Sequence, residues 1–269
     1  MTDASLDLLT TPTPAGGGAF TWDVPDRWQQ GRGAFGGLVL DALCRAAMAF
    51  EDDPGRPPRA MNGELTGPVV PGEAALQVRL LRRGGAVTTV DVSLTQEKEI
   101  RARASFVLGG PRKNPTEFAD RPGKKPENLD WESAPVVPMK PGTGFPVFAE
   151  NFEFRLAGPP PFQAGDEPWA GGWVRPKVRP AAIGHGEVVA YADVWWPAGF
   201  TVEKAPRPIA TIGFQLQWLA EPSSLSPDEP LLCLSRVTGG MDGYVAETRE
   251  LFDPKGRLVA INQQTFVWI

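Results

Sequence analysis

Three polar side chains in the second half of this sequence have types that could together activate a water molecule. Asp193 lies on the apolar stripe of a segment that is apolar nearly all round, and no Lys or Arg lies within a turn of it. Such a segment predicts a buried helix, so the carboxylate needs partners from elsewhere in the chain. Thr211 and Gln264 can supply a hydroxyl and an amide. A carboxylate with these two partners is suited to holding and deprotonating water.

An internal repeat singles out Thr211 and Gln264. Leu76–Gly109 has the pattern of three strands separated by a glycine pair and a short turn, and Leu231–Ile269 has the same layout. A repeat over most of the chain indicates that one supersecondary unit is used twice. Any chemistry is then expected where the two copies differ.

The two copies differ in polarity on the face that should meet the helix. When the strand phase is carried across the repeat, Met61 corresponds to Thr211 and Ala104 to Gln264. A buried amide costs about 1–3 kcal/mol unless it is hydrogen-bonded. Taken singly, Thr211 is explained as a strand former and Gln264 as a subunit-interface residue. Their joint appearance in one copy favours a functional site.

Two predicted helices and the strands around them position these residues. Apolar residues at helical spacing predict a first helix over Leu38–Phe50, and a second helix is predicted over His185–Trp196. The strand segments alternate apolar and polar residues with a period of two, which is typical of half-buried antiparallel strands. One long helix lying across such a sheet is an α+β unit.

The predicted boundaries follow the composition of the chain. Residues 1–19, rich in Thr, Pro and Gly, predict a flexible N-terminal tail. Residues 20–111 and 146–269 are the predicted N-terminal and C-terminal units. Residues 112–145 are a Pro-rich linker, which we expect to be a crossover packed on the surface.

A glycine-dense loop precedes the first helix. The helix start after Phe35-Gly36-Gly37 is a candidate oxyanion site, because glycines allow close approach and a helix start favours negative charge. Close packing of the helix on the sheet explains the glycines equally well. Asp41, four residues before Arg45, is interpreted as half of an exposed ion pair.

Composition argues against several classes of partner. The chain has 27 basic and 32 acidic residues, a net charge of −5 and no charge run, which argues against nucleic acid and anionic membranes. No apolar stretch approaches the roughly 20 residues of a membrane span, and the first residues do not resemble a signal peptide. Cys44 and Cys233 show no metal-ligand spacing, so we expect no metal and a reducing cytoplasm.

Several motifs carry a family resemblance that covers most of residues 20–269. In the first copy they are Gly31-Arg-Gly-Ala-Phe-Gly-Gly-Leu-Val-Leu40 and Gly67-Pro-Val-Val-Pro-Gly72. In the second copy they are Ala190-Tyr-Ala-Asp193, Ile209-Ala-Thr-Ile212 and Asp253-Pro-Lys-Gly-Arg-Leu-Val-Ala260, followed by Gln264. With these motifs in this order, the chain resembles the acyl-CoA thioesterases of the double-hotdog type, the class of bacterial thioesterase II.

The resemblance implies a double hotdog, that is, two tandem units that each wrap an antiparallel sheet around a long central helix. It places the catalytic residues of the family on Asp193, Thr211 and Gln264. It implies hydrolysis of an acyl-CoA thioester by an Asp-activated water, without a cofactor, in a homo-oligomer that is a dimer or larger. Gly213-Phe214 replaces polar residues of the better-known enzymes, a departure that bears on activity and chain-length preference.

Two alternatives stay open. One is a hotdog enoyl-CoA hydratase or dehydratase, which would pair a histidine with a carboxylate; the single histidine, His185, is interpreted as a loop residue. The other is a protein that binds an acyl group or acyl-CoA without catalysis. The basic residues available for the coenzyme A phosphates are Arg32, Arg112 and Lys113, and the sequence does not choose among them.

Overall fold

The computed structural model describes residues 4–113, 130–140 and 144–269. The α-helices in these ranges are α1 (Leu6–Thr10), α2 (Gly36–Glu51) and α3 (His185–Asp193). The strands are β1 (Thr13–Gly16), β2 (Ala19–Val24), β3 (Gln29–Gln30), β4 (Gly33–Ala34), β5 (Pro58–Leu65), β6 (Gly72–Arg83), β7 (Val87–Gln96), β8 (Glu99–Gly109), β9 (Val136–Val137), β10 (Phe152–Leu156), β11 (Trp169–Pro176), β12 (Ile209–Trp218), β13 (Leu231–Met241), β14 (Tyr244–Phe252) and β15 (Leu258–Trp268). No helix in the described part of the chain is long and apolar enough to cross a membrane.

Thirteen of these strands form one antiparallel sheet, and β3 pairs separately with β4. The order of the large sheet is β1-β2-β6-β7-β8-β5-β12-β15-β14-β13-β11-β10-β9. The two copies of the repeat meet where β5 pairs with β12, with Gly63 opposite Phe214. The sheet is thus continuous through both halves of the chain.

Alternation along the strands gives the sheet an apolar face that packs against the helices. On β7, Val90, Val92 and Leu94 are fully buried and alternate with partly exposed residues. Helix α2 packs on this face, and it is buried nearly all round because α1 and α3 also contact it. The core therefore lies between one sheet and a layer of helices.

Helix α2, at Gly36–Glu51, agrees closely with the helix predicted over Leu38–Phe50. Helix α3 ends at Asp193 instead of at the predicted Trp196. Pro197 disfavours helical backbone at Trp196. The ring of Trp195 packs edge-on against Phe154 at a centroid distance of 5.4 Å. The Asp193 carboxylate therefore lies at the C-terminal end of a nine-residue helix.

The prediction of a flexible tail over residues 1–19 does not hold for residues 4–19. Leu6 in α1 is buried, and the indole N–H of Trp22 donates to a backbone carbonyl of α1 at 2.8 Å. Strand β1 pairs with β2 at one edge of the large sheet. The glycines that suggested a loose segment form the turn after β1, where Gly16–Gly18 have positive φ.

Part of the predicted linker, residues 112–145, lies outside the described residues. Its described portion contains β9, which pairs with β10 at the other edge of the sheet. The boundaries of the two units, 20–111 and 146–269, stay a proposal.

Asp41 is buried, which corrects the interpretation of an exposed ion pair with Arg45. Its carboxylate accepts hydrogen bonds from Thr10 of α1 at 2.9 Å and from Arg45 at 2.8 Å. Arg45 also binds Glu187 of α3. The side of α2 that the sequence pattern assigned to solvent is covered by the other two helices. Burial raises the pKa of Asp41 to about 7, with Arg45 opposing the rise.

Glycines allow α2 and α3 to cross at backbone contact. The helices run antiparallel, since Gly37 lies beside Ala190 while Asp41 lies beside Gly186. A Cβ atom on Gly37 would be 3.0 Å from the Cα of Ala190. A Cβ atom on Gly186 would overlap the Asp41 carboxylate. This crossing brings the start of α2 to the end of α3.

Gly186→Ala should lower the free energy of unfolding by about 2 kcal/mol, because the added methyl group must displace a carboxylate that Thr10 and Arg45 hold in place. Without that overlap, alanine in a helix would stabilise the protein by about 1 kcal/mol. Gly85→Ala is the control, since nothing lies within 4 Å of an added Cβ atom there. Denaturant unfolding measures both variants. A Gly186→Ala variant as stable as the parent would contradict the crossing geometry.

Candidate active site

The structure brings together Asp193, Thr211 and Gln264. Oδ1 of Asp193, the last residue of α3, accepts a hydrogen bond from Gln264 Nε2 of β15 at 2.9 Å. The hydroxyl of Thr211 on β12 lies 3.5 Å from Gln264 Oε1, at the long limit of a hydrogen bond. Asp193 and Gln264 are 7% and 2% exposed. The polar residues that the repeat comparison indicated are therefore one connected group.

A second amide determines the orientation of the Gln264 side chain. Gln264 Nε2 also donates to Asn262 Oδ1 at 2.9 Å, and Asn262 Nδ2 donates to the carbonyl of Gln215 at 2.7 Å. Because both hydrogens of the Gln264 amide meet oxygen acceptors, its own oxygen faces Thr211. The amide thus presents a donor to Asp193 and an acceptor to Thr211.

A β-bulge turns Thr211 toward this group. Phe214 and Leu216 are the buried, inward-facing residues of β12, so strict alternation would point Ile212 inward and Thr211 outward. Thr211 pairs with one β15 residue and Gly213 with the next, which leaves Ile212 as the extra residue of the bulge. The Gly213-Phe214 departure lies at this bulge, and the Phe214 ring belongs to the core.

The start of α2 adds backbone groups beside Asp193. The N–H of Gly37 donates to the Asp193 carboxylate. A Cβ atom on Gly36 would lie 2.9 Å from Asp193 Oδ2, and the N–H of Phe35 donates to the carbonyl of Trp28 at 2.7 Å. Gly36 and Gly37 thus lie beside Asp193, whereas the Phe35 N–H points to Trp28, and close packing accounts for both glycines as well. The positive end of α2 faces the carboxylate.

Two buried charged residues of β14, Glu247 and Arg249, also lie at the site, and we did not predict them from the sequence. Arg249 Nη1 lies 4.0 Å from Asp193 Oδ1, and Arg249 Nε donates to Glu247 Oε1 at 2.8 Å. The sequence does place both residues on the same face of the strand as the apolar Leu251, which could have indicated that they are buried. Glu250 places charge on the opposite phase as well, which hid the pattern.

Burial dominates the electrostatics of Asp193. It raises the pKa of this carboxyl to about 6, while Arg249, the Gln264 amide and the Gly37 N–H oppose the rise. Burial also raises the pKa of the Cys233 thiol to about 12, so that thiol is uncharged at neutral pH. An Asp193 carboxyl with a pKa near 6 is mostly ionised at neutral pH and is a stronger base than an exposed one.

The other predicted residues lie elsewhere or at the surface. His185 is the first residue of α3 and therefore about 12 Å along the helix from Asp193, its last residue. The imidazole packs against Trp218, and burial lowers the pKa of His185 to about 4, so the ring is neutral. Arg32, Arg112 and Lys113, the residues available for the coenzyme A phosphates, are all exposed.

The raised pKa of Asp193 predicts how its replacement changes stability with pH. The folded state binds the proton with a pKa of about 6 and the unfolded chain with a pKa of about 3.8. Ionised Asp193 therefore destabilises the fold above pH 6, and this cost is lost as the pH falls toward 4. Relative to the parent, Asp193→Asn should be about 1 kcal/mol more stable at pH 8 than at pH 5. Denaturant unfolding at both pH values measures this, and a constant relative stability would contradict the raised pKa.

Two family models match the chain. The acyl-CoA thioesterase N-terminal domain matches residues 24–109, and the acyl-CoA thioesterase C-terminal domain matches residues 130–268. Together they confirm the resemblance seen in the motifs. Among curated proteins, none matched the sequence.

Solved structures of the hot dog fold are similar over the whole chain. A hot dog protein from Alicyclobacillus acidocaldarius has a TM-score of 0.88 at 21% identity, covering 99% of this chain and 98% of its own. A thioesterase II candidate from Thermobifida fusca has a TM-score of 0.84 at 19% identity, with coverage of 100% and 99%. An acyl-CoA thioesterase II from Mycobacterium marinum has a TM-score of 0.77 at 14% identity, with coverage of 98% of each chain. These likenesses show the hot dog fold. Because the two family models span most of its length, the chain belongs to the acyl-CoA thioesterase family and is a thioester hydrolase.

Proposed function

We propose that the chain hydrolyses an acyl-CoA thioester to the free acid and coenzyme A, with Asp193 as the general base. The observation that carries this proposal is a buried carboxyl with a pKa of about 6, beside an amide, a hydroxyl and a helix N-terminus. Membership of the acyl-CoA thioesterase family supports the substrate class. A base of this strength is matched to proton transfer near neutral pH.

In the proposed reaction, a carboxylate oxygen of Asp193 accepts a proton from water while the water oxygen attacks the thioester carbonyl. The tetrahedral oxyanion then collapses to the carboxylic acid, and the carbon–sulfur bond breaks. The proton held by Asp193 passes to the leaving thiolate of coenzyme A. The protein forms no covalent bond with the substrate. General base catalysis of this kind contributes about 10²–10⁴-fold to the rate.

Thr211 and Gln264 orient the attacking water in this proposal. Thr211 Oγ1 and Gln264 Oε1 are 3.5 Å apart, so a single water molecule can contact both oxygens. Gln264 Nε2 holds Asp193 Oδ1, which assigns the role of proton acceptor to Oδ2. Fixing the water and the base relative to each other reduces the entropy lost on reaching the transition state.

The start of α2 is the proposed oxyanion site. The Phe35 N–H donates to Trp28, and the Gly37 N–H donates to Asp193. We therefore assign the Gly36 N–H, together with the positive end of the helix, to the developing oxyanion. A side chain at Gly36 would occupy the space beside Asp193 Oδ2 where the water has to lie.

The proposed site lies between the two units of a double hotdog. We assign residues 20–111 and 146–269 to the two units, with α2 and α3 as their central helices and 112–145 as the crossover between them. The polar side chains belong to the second unit, and the helix start belongs to the first. Because each unit supplies a different part of the site, both units are needed in one chain. A homo-oligomer and a cytoplasmic location stay predictions.

The two alternatives explain the site less well. A hydratase would pair a histidine with a carboxylate, and His185 lies at the opposite end of α3 from Asp193. A protein that only binds acyl-CoA has no use for a buried base. The raised pKa of Asp193 corresponds to a cost of about 3 kcal/mol to the fold at pH 8. A role as general base in hydrolysis explains why the protein keeps a carboxylate that destabilises its fold.

Release of free thiol from acyl-CoA thioesters, from acetyl to palmitoyl, measures the proposed activity. Asp193→Asn should lower kcat by about 100-fold or more because the base is lost. Gln264→Ala should lower kcat by about tenfold or more, because it removes the one side chain that binds both the water and the Asp193 carboxylate. Gln263→Ala is the matched control, because Gln263 is the neighbour of Gln264 on β15 and is exposed.

Acyl-CoA binding by Asp193→Asn without thiol release would support hydrolysis by this base. No thiol release by the parent from any thioester, with binding intact, would contradict the proposal and favour the binding protein. Hydration of an enoyl-CoA that is lost with His185→Ala would identify a hydratase instead.

A further inference from the structure

Arg249 lies between two buried carboxylates. Its Nε donates to Glu247 Oε1 at 2.8 Å, whereas its Nη1 lies 4.0 Å from Asp193 Oδ1. Nη1 also donates to the carbonyl oxygen of Ala192, next to Asp193 in α3, at 3.1 Å. The guanidinium is therefore bound closely to Glu247 and only loosely to Asp193.

Glu247 is itself anchored on the side away from Arg249. Its Oε2 accepts a hydrogen bond from the N–H of Ala198 at 2.7 Å, in the segment that follows α3. Glu247 and Arg249 are 1% and 2% exposed. A carboxylate that is buried and bound at both oxygens stays in place and keeps the cation beside it.

This charged pair occurs in only one copy of the repeat. The strand registers align Glu247 with Val92 of β7 and Arg249 with Leu94, since each lies opposite the equivalent residue of the last strand in its copy. Val92 and Leu94 are fully buried. A buried ion pair adds little stability over well-packed apolar residues in the same places. A role in the site therefore explains the pair better than a role in folding.

We propose that Glu247 is a positioning residue that sets the basicity of Asp193 by holding Arg249 away from it. The inference rests on the proposed function, in which Asp193 is the general base. A cation in full contact would make Asp193 a weak base, and no cation at all would leave it protonated near neutral pH. At the observed distance Asp193 is ionised and still basic enough to take a proton from water.

Within the described part of the chain, the other groups that shift the pKa of Asp193 are neutral. Strand β15 contributes the Gln264 amide and α2 the Gly37 N–H, and both favour the ionised carboxylate. The Cys233 thiol on β13, whose pKa burial raises to about 12, is uncharged. The charged side chains that shift the pKa of Asp193, in opposite directions, are Arg249 and Glu247.

Titration of Asp193 in the full chain, beside the pH dependence of kcat/KM, tests this inference. Carbon-13 NMR of protein labelled at the aspartate γ-carbons follows the carboxyl group, and Asp193→Asn assigns its signal. Glu247→Gln should lower the titration midpoint by about one pH unit, because the anion that raises the Asp193 pKa is removed and Arg249 is then free to pair with Asp193. The acid limb of kcat/KM should move with the midpoint.

A double variant, Glu247→Val with Arg249→Leu, copies the apolar residues of β7 and gives a second test in a core expected to fold. Arg249 lowers the pKa of Asp193 more than Glu247 raises it, and the double variant removes both charges. The titration midpoint of Asp193 should therefore rise above that of the parent. Opposite shifts in the two variants support the inference, because a general loss of packing would not produce them.

Glu250→Gln is the matched control, since Glu250 lies on the same strand with its side chain on the opposite, partly exposed face. Its Asp193 midpoint should equal that of the parent. An unchanged midpoint in Glu247→Gln, whatever happens to stability, would overturn the inference. If the parent hydrolyses no thioester, the proposed function fails, and the NMR titration still decides whether Glu247 controls the Asp193 carboxyl.

Discussion

The arrangement of helices and strands around the site is governed by one constraint, which is that a buried carboxylate, Asp193, has to be ionised. Burial raises the pKa of Asp193 to about 6, and the position of this residue at the end of α3, the negative end of the helix dipole, adds to the cost of ionising it. The antiparallel crossing of α2 offsets part of it. That crossing brings the positive end of a second helix and the Gly37 N–H to the same carboxylate. The glycines between the helices and the sheet beneath them make this contact possible.

The two halves of the chain contribute different things to this site. In the first half the sheet positions equivalent to those of the polar site are apolar, namely Val92, Leu94 and Ala104, so this half forms a packed core and presents the start of α2. In the second half the equivalent positions carry charges and amides that bind one another in a network. Buried polar groups are tolerated only when they are satisfied in this way. A repeat thus lets one copy carry the polar site while the other provides stable packing.

The repeat is also why much of the site could be predicted from the sequence. Thr211 and Gln264 were found because they replace apolar residues of the other copy. Asp193 was found because it has no basic residue near it in the sequence, and helix α2 was predicted from the spacing of its apolar residues. The burial of Asp41 could not be predicted, because it depends on α1 and α3 covering a helix face that pattern alone assigns to solvent. Arg249 was missed because β14 carries charged residues on both of its faces, and because its contact with Ala192 depends on how α3 packs on the strand.

The central claim is that water, and not Asp193 itself, attacks the thioester carbonyl. A single turnover in water enriched in oxygen-18, with protein in excess over an acyl-CoA, tests this claim most directly. Attack by water places oxygen-18 in the released acid and none in Asp193, as mass spectrometry of the acid and of the Asp193 peptide would show. An unlabelled acid together with oxygen-18 in the Asp193 peptide would mean that the carboxylate had attacked through an anhydride, and would contradict the account.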